Sequence, residues 1–410
     1  MNTTADQIYI VGTGISGLVA ARTLEKKGYA PVILESSDRP GGRVKSDTES
    51  GVVYDHGFQV LLTAYPQARR HLDFDKLNLR RFLPGALVFN TGTPQRIGDP
   101  LRNFSSLLPT LNSKVGTLKD KWKIFRLSSG LKQKSVDEIF ATPEQTTLQY
   151  LEAYGFSDQV IRTFFKPFFG GIFLEEALST SSRMFEFTFK MFSEGYAAIP
   201  DSGIGAIAAQ LVAGLNRTTI RYNQPVQQVT SGAVILKGGE KLPSRATLIT
   251  VPFNPETGEL RESGVAWERC DNLYFNVSKR TFEEGVIALV ADPDALINNL
   301  YFPFGQNAEG CPVLSVTVVK KHALSKAELI QRVSEDLERY CGIKTKSFLK
   351  HYAVERALPK RGDLKMKPVE VQSLDFDNLF LAGDYLLNGS LNAAMASGEA
   401  AAEALAASLA

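Results

Sequence analysis

The chain has 410 residues, enough to bury the core of one large or two medium domains. Hydrophobic residues make up 44% and charged residues 22%, as in folded soluble proteins, and the net charge of +2 argues against binding nucleic acid through overall charge. Three widely spaced cysteines and four scattered histidines exclude a disulfide scaffold, a dithiol redox pair and a recognisable metal motif.

The N-terminus predicts a protein without a targeting segment. Residues 1–7 are polar and lack the basic and then apolar pattern of a signal peptide. No uninterrupted apolar stretch reaches the ~18 residues that a transmembrane helix needs. We therefore expect a cytoplasmic protein.

The stretch from Gln7 to Arg43 predicts a dinucleotide site. A buried strand is expected at residues 8–11, followed by Gly12, Gly14 and Gly17 in G-x-G-x-x-G spacing and then by an amphipathic helix. The helix N-terminus can hold a pyrophosphate through its backbone N–H groups. A second strand at residues 32–34 ends at Glu35, at the spacing where the fingerprint places a ribose-binding carboxylate.

The next two hundred residues predict a hairpin and then helices. Residues 86–97 read as a β-hairpin turning at Thr91 and Gly92. Residues 100–200 are mostly helical and are interrupted by prolines. Another glycine motif, at residues 201–208, follows a segment that makes a poor buried strand, so we interpret it as a helix start capped by Asp201 or Ser202 and not as a nicotinamide site.

Residues 114–134 predict a basic amphipathic helix. Leu118, Trp122 and Phe125 lie at helical spacing, and seven basic residues are opposed only by Asp120. Such a helix can lie on an anionic membrane surface. The alternative is a solvated helix packed on its own domain.

Phenylalanine is concentrated between residues 164 and 192, with nine of the chain's 25. These rings could line a cavity for a long apolar substrate, for which Phe164, Phe168 and Phe169 are the candidates. They could equally form a packed helical core.

The second half returns to strands. Apolar runs predict strands at residues 219–222, 226–229, 234–236, 247–251, 273–277, 286–290, 300–302, 313–319 and 347–358, and a helix at 326–340. The later strands indicate a predominantly antiparallel sheet in a second domain. A last buried strand at 379–382 is followed by a helix of small residues from Leu391.

Three stretches resemble the flavin amine oxidase and phytoene desaturase superfamily. They are Arg39–Arg43 with its Gly-Gly-Arg element, Asp55–Gln59, and Leu381–Asp384 followed by the small-residue helix. The resemblance covers both ends of the chain well and the middle poorly. It implies that both ends together bind FAD, and that they bind it non-covalently, since no cysteine lies near Asp384.

The resemblance also implies individual roles. The Gly-Gly-Arg element lies along the pyrophosphate, Gly57 and Gln59 pass beside the flavin, and Asp384 holds a ribityl hydroxyl. We expect His56 to be a hydrogen-bonded structural residue. The residues assigned to FAD are Gly12, Gly14, Ile15, Ser16, Gly17, Glu35, Ser36, Gly41, Gly42, Arg43, Gly57, Phe58, Gln59, Val226 and Val229 beside the adenine, Gly383, Asp384, Leu391 and Ala394.

The expected fold class is α/β. A Rossmann-like FAD-binding domain of the glutathione-reductase type would comprise residues 1–75, 205–255 and 360–410. An interleaved α+β substrate domain, built on an antiparallel sheet, would comprise residues 76–204 and 256–359. The chain crosses between the two domains several times, so no single cut separates them.

The resemblance leaves amines, porphyrinogens and polyenes such as carotenoids as substrate classes. Amine oxidases commonly place an aromatic residue where this chain has Ser390, the remaining substrate-cavity candidate, which disfavours an amine. The phenylalanines and the basic helix favour an apolar substrate, desaturated by an enzyme in peripheral contact with a membrane. No catalytic residue is assigned, because FAD itself accepts the hydride. A non-enzymatic isoprenoid-binding protein of the same fold is a further alternative.

Overall fold

The computed structural model describes residues 7–90, 93–98, 113–254, 256–260, 265–304, 310–360, 362, 364–367, 371–372 and 378–410. The predicted turn at Thr91 and Gly92 lies outside these residues, as does the stretch 100–112 of the region expected to be helical. Within the described ranges, no helix is both long enough and apolar enough to cross a bilayer.

Most of the predicted strands and helices occur close to their expected positions, and several short strands occur that were not predicted. The strands are Ile8–Val11 (β1), Val32–Leu34 (β2), Ser46–Glu49 (β3), Val52–Asp55 (β4), Leu61–Leu62 (β5), Leu79–Arg81 (β6), Gly85–Asn90 (β7), Thr93–Gly98 (β8), Ala197–Pro200 (β9), Thr219–Arg221 (β10), Val226–Thr230 (β11), Ala233–Leu236 (β12), Lys241–Pro243 (β13), Ala246–Ile249 (β14), Ala266–Val277 (β15), Ala288–Val290 (β16), Ile297–Tyr301 (β17), Val313–Val318 (β18), Thr345–Lys360 (β19) and Leu379–Leu381 (β20). The helices are Ile15–Lys26 (α1), Pro66–His71 (α2), Leu118–Gln133 (α3), Val136–Phe140 (α4), Thr147–Ala153 (α5), Asp158–Val160 (α6), Lys166–Phe173 (α7), Ser182–Glu194 (α8), Ala206–Ala213 (α9), Lys326–Cys341 (α10) and Leu391–Leu409 (α11).

A parallel sheet in the order β10-β2-β1-β14-β20 brings the two ends of the chain together. Ile8 and Ile10 pack in one cluster with residues of α1 and α11, whereas Tyr9 and Val11 pack against the small antiparallel sheet of β11, β12 and β13. Both faces of β1 are therefore buried, which explains its uninterrupted apolar sequence. This layering confirms the expected α/β class.

The second large sheet has the order β19-β15-β18-β17-β16-β7-β8. Its pairings are antiparallel except for the parallel pair β16–β7. Leu329, Val333 and Leu337 of α10 are buried in the same cluster as Leu273 and Phe275 of β15, so this helix covers one face of the sheet. The predicted antiparallel sheet is confirmed.

The prediction of a poor strand before the second glycine motif is wrong. Ala197–Pro200 is a fully buried strand, β9, that pairs antiparallel with β5 and β6. Its hydrogen-bond partners come from residues far away in the chain, which local pattern cannot reveal. The motif does begin a helix, α9, but the predicted cap is also wrong: Gly205 is the N-cap residue without a side-chain bond, and Asp201 accepts a 2.7 Å bond from Arg80.

The basic helix starts later than expected, at Leu118. The hydroxyl of Thr117 accepts a bond from the backbone N–H of Asp120, and the carboxylate of Asp120 accepts one from the backbone N–H of Thr117. This capping box satisfies donors that the first turn leaves unpaired, so it fixes the start of the helix.

We propose the same division into domains that the sequence suggests. The parallel sheet takes all its strands from residues 1–75, 205–255 and 360–410. The seven-stranded sheet takes its strands from residues 76–204 and 256–359, except that β19 extends one residue further, to Lys360. The small sheet β5-β9-β6 joins the two proposed domains.

Candidate cofactor site

The glycines of the first motif let α1 begin close to the end of β1. Gly12 has a φ of +99°, and its N–H donates to the carbonyl oxygen of Leu34 on the neighbouring strand at 2.9 Å. A Cβ on Gly17 would lie 2.0 Å from the carbonyl oxygen of Gly12. Only glycine permits this turn and this approach, as the fingerprint requires.

The N-terminus of α1 has the properties of an anion site. Its N-cap residue, Gly14, offers no side chain to bond the first-turn N–H groups, which include those of Ile15 and Ser16, and no acid lies in that turn. A Cβ on Gly14 would meet nothing within 4 Å, so the space beside these N–H groups is open on that side. A pyrophosphate fits this arrangement of donors and helix dipole.

The Gly-Gly-Arg element lies over this turn. The N–H of Gly41 donates to the carbonyl oxygen of Thr13 at 3.0 Å, and a Cβ on Gly42 would lie 3.2 Å from the Cα of Gly14. Gly41 and Gly42 have φ values of +117° and +60°. The two glycine motifs are thus brought together as the resemblance implies.

Glu35 directly follows β2, and its carboxylate is buried and charged. One oxygen accepts bonds from the N–H and hydroxyl of Thr13 at 2.8 and 2.5 Å, and the other from the N–H and hydroxyl of Ser37 at 2.8 and 2.7 Å. Burial alone would raise the pKa of Glu35, but these bonds outweigh burial and hold the pKa below its ordinary value.

The surroundings of Glu35 also fit a ribose. Two of its donors are hydroxyl groups, which can rotate away and leave oxygens free to accept ribose hydroxyls. Ser36 is exposed and contributes only a 3.3 Å contact. Sequence reasoning missed Thr13 and Ser37, although a hydroxyl residue between the first two glycines and another two positions after the predicted carboxylate were visible signals.

Arg43 and Asp384 connect the beginning and the end of the chain. The guanidinium of Arg43 forms an ion pair with the carboxylate of Asp384, and it also lies 5.0 Å from the ring centre of Trp267. Gly383 has a φ of +149°, and its N–H donates to the hydroxyl of Ser397 in α11 at 3.0 Å. The structure therefore joins two predicted motifs through one contact, and Trp267 is a neighbour that the sequence did not indicate.

The turn after β4 supports the Gly-Gly-Arg element. Gly57 has a φ of +93°, and the side-chain amide of Gln59 donates to the carbonyl oxygens of Arg43 and His56 at 2.9 and 3.1 Å. These bonds make Gln59 a positioning residue for the loop. Phe58 packs against the ring of Tyr301, with 4.7 Å between ring centres.

His56 has the hydrogen bond expected of a structural histidine. Its Nε2 lies 3.0 Å from a carboxylate oxygen of Asp47, and its ring stacks on Tyr352 with 4.0 Å between centres. Burial lowers the pKa of His56, although the carboxylate opposes this shift.

The helix α11 begins at a buried cap. The hydroxyl of Ser390 accepts a bond from the N–H of Ala393 and donates one to the side-chain oxygen of Asn388 at 2.7 Å. The N–H of Ala394 is bonded inside the helix, to the carbonyl oxygen of Ser390, so only earlier groups such as the N–H of Leu391 remain to face a ligand.

In the strand assigned to the adenine, β11, some backbone groups are already hydrogen-bonded within the protein. The N–H of Val229 donates to the carbonyl oxygen of Gly258 at 2.8 Å, and its side chain is fully buried. Val226 lies next to an irregularity in the pairing of β11 with β12. Of the two valines, Val226 is the better placed to offer its backbone.

The phenylalanine-rich segment forms a packed aromatic cluster. Phe169 is fully buried and contacts the rings of Phe168, Phe173 and Phe185 at 5.2, 5.5 and 4.7 Å between centres. Phe168 is partly exposed and stacks on Phe164. The core interpretation therefore describes Phe169 and also Phe164, which is buried, whereas Phe168 lies at the edge of the cluster.

Comparison with known proteins finds a family model and several similar chains. A family model described as flavin containing amine oxidoreductase matches residues 15–406. Protoporphyrinogen oxidase 2 of Arabidopsis thaliana is 26% identical over 165 residues, which are 40% of this chain and 32% of that protein. A neurosporene-forming phytoene desaturase of Cereibacter sphaeroides is 36% identical over 77 residues, 17% of this chain and 14% of that protein. The matched parts thus span a third or less of these relatives.

The solved structure of wild-type putrescine oxidase bound to putrescine is similar over nearly the whole chain. It has a TM-score of 0.72 at 18% identity and covers 98% of this chain and 99% of its own. At this identity the likeness establishes a shared fold and not a shared substrate.

Proposed function

The chain belongs to the flavin-containing amine oxidoreductases, and on that premise we propose that it uses FAD to oxidise, by desaturation, an apolar substrate of the carotenoid or isoprenoid kind. Membership in this family confirms the oxidoreductase class and the FAD cofactor that the sequence predicts. The substrate class and the non-covalent binding of FAD are proposals.

The chain's own residues would hold and orient the cofactor. FAD, when bound, supplies an acceptor for a hydride or for electrons. The N-terminus of α1 would bind the pyrophosphate, and Glu35 would bind the ribose. Asp384 and Arg43 would lie along the pyrophosphate and the ribityl chain. Gln59 would keep the Gly-Gly-Arg loop in place through its bonds to Arg43 and His56.

The observation that supports an apolar substrate best is the position of Ser390. The resemblance places an aromatic wall for an amine at this point, but Ser390 is a buried helix cap whose hydroxyl is bonded within its own turn. An amine substrate would therefore lack the aromatic side chain that is expected beside it at this position. Phe168, which is partly exposed, and Phe164, which stacks on it, remain our candidates for contact with a long apolar chain.

Two other substrates have specific support. Amine oxidation is suggested by the description of the matching family model, and porphyrinogen oxidation by the sequence likeness to protoporphyrinogen oxidase. We also propose peripheral contact with a membrane, since a carotenoid-like substrate dissolves in the bilayer and would have to be taken from it.

Anaerobic reduction of the bound flavin tests the substrate class. We expect a carotenoid precursor delivered in liposomes to bleach the flavin absorbance, with desaturated product appearing once an acceptor is added. Primary and secondary amines should leave the absorbance unchanged over the same time, because Ser390 does not supply the aromatic wall expected beside an amine.

Each alternative gives a distinct result in the same experiment. Rapid bleaching by an amine, or by protoporphyrinogen, with no response to a polyene would overturn the proposed substrate. A flavin that no substrate reduces, although dithionite reduces it, would favour an isoprenoid-binding protein without redox chemistry. Liposomes without the precursor are the control.

A further inference from the structure

Helix α3 has two apolar faces. Leu127 and Leu131 are buried, and the C-terminal part of the helix is held to α8 by Lys190, whose ammonium group donates to the carbonyl oxygen of Leu131 at 3.0 Å. Leu118, Trp122 and Phe125 follow one another at spacings of four and three residues, so they share the opposite side of the helix.

This second apolar face is exposed to solvent. The exposed fractions of Leu118, Trp122 and Phe125 are 66%, 57% and 50%. They are three of the five large apolar side chains that the described part of the chain exposes, the other two being Leu83 and Leu324. Single exposed apolar residues are common, but three on one helical face indicate a surface that binds something.

The exposed charges that α3 itself carries beside this face are all positive. Lys119, Arg126 and Lys132 are exposed, and the guanidinium of Arg126 lies 5.6 Å from the ring centre of Trp122. The sole acid of the helix, Asp120, is buried and accepts bonds from Thr117 and Ser157. Its carboxylate is therefore turned away from the exposed face.

An apolar centre surrounded by cations matches an anionic lipid surface. Leu, Trp and Phe side chains enter the boundary between headgroups and acyl chains, and Lys and Arg remain among lipid phosphates. A partner protein with an acidic groove would be the competing occupant. The interfacial composition of this face, with a tryptophan between a leucine and a phenylalanine, favours the bilayer.

We propose that α3 binds the protein to an anionic membrane by inserting Leu118, Trp122 and Phe125 between the lipids, with Lys119 and Arg126 at the headgroups. Insertion of α3 specifies how the membrane contact of the proposed function is made. It rests on the proposed function only for the reason why the protein should meet a membrane. Because α3 packs directly on α8, which carries part of the aromatic cluster, the bilayer would lie one helix away from that cluster.

Insertion predicts a salt dependence different from that of purely electrostatic adsorption. Binding to vesicles of phosphatidylcholine and phosphatidylglycerol should weaken as salt rises but should persist in part at 0.5 M, because salt screens the cations and not the apolar contacts. Replacing Leu118, Trp122 and Phe125 together by serine should reduce cosedimentation at least tenfold. Tryptophan emission should shift to the blue on binding in the wild type and not in Trp122→Phe.

A matched control separates this effect from a general loss of surface hydrophobicity. Leu83→Ser combined with Leu324→Ser removes exposed leucines elsewhere and should leave vesicle binding unchanged. The triple serine variant and this double variant should both retain flavin that dithionite reduces. A failure of membrane binding is therefore distinct from a failure of the flavin site. Wild-type binding by the triple variant, no binding by the wild-type protein, or self-association that depends on the three residues would overturn the proposal.

Discussion

Replacing Gly398 with alanine is expected to yield protein without bound FAD and to lower the free energy of unfolding by about 3 kcal/mol. Gly398 lies where α11 crosses α1, and a Cβ there would be 2.2 Å from the carbonyl oxygen of Ser16 and 2.9 Å from its Cα. These are backbone atoms, so the two helices would have to separate. Both helix N-termini belong to the proposed FAD site, and their separation would open it.

Flavin absorbance per chain and denaturant unfolding measure this effect. The control is Gly130→Ala, the same change inside α3, where a Cβ would meet nothing within 4 Å. That variant should be more stable by up to ~1 kcal/mol, since alanine favours a helix over glycine. Full flavin content and unchanged stability in Gly398→Ala would show that the close crossing of α1 and α11 is not needed.

Replacing Phe169 with alanine is expected to cost ~3–5 kcal/mol of stability without changing the flavin spectrum. The side chain is fully buried among other aromatic rings, so its removal leaves a cavity that they cannot easily fill. Phe125→Ala is the control, because that ring is 50% exposed and its loss should change the unfolding free energy by less than ~0.5 kcal/mol.

Thermal or denaturant unfolding distinguishes the two roles that the sequence left open for this residue. A large loss of stability supports the core. Unchanged stability with slower turnover of a polyene would instead make Phe169 part of a substrate cavity.

The nucleotide-binding unit could be predicted from the sequence because its signals are local. An apolar strand, three spaced glycines, a helix and a terminal carboxylate follow one another within about thirty residues, and each has a physical reason to be there. The same holds for the hairpin of β7 and β8 and for the helix after Ser390. The resemblance assigned Arg43 and Asp384 to FAD but did not predict their ion pair, since the two residues lie at opposite ends of the chain.

The features that sequence reasoning missed depend on partners distant in the chain. β9 is a strand because β5 and β6 pair with it, although its own sequence includes a proline. The apolar residues of α3 lie on two sides of the helix, and the sequence alone does not tell which side is covered: α8 docks on the side of Leu127 and Leu131 and leaves Trp122 exposed.

One measurement tests most directly whether the carboxylate of Glu35 binds a ribose of FAD. FAD is released from the wild-type protein by acid precipitation, which should leave no flavin with the chain, and its affinity for the refolded apoprotein is then measured by titration. Glu35→Ala should bind FAD ten- to a hundred-fold more weakly, from the loss of ~1.5–3 kcal/mol of charge-assisted hydrogen bonding. Glu240→Ala, at an exposed glutamate, should bind like the wild type. Equal affinity in Glu35→Ala, or flavin that stays with the precipitated chain, would contradict the account of a non-covalent FAD site built on this carboxylate.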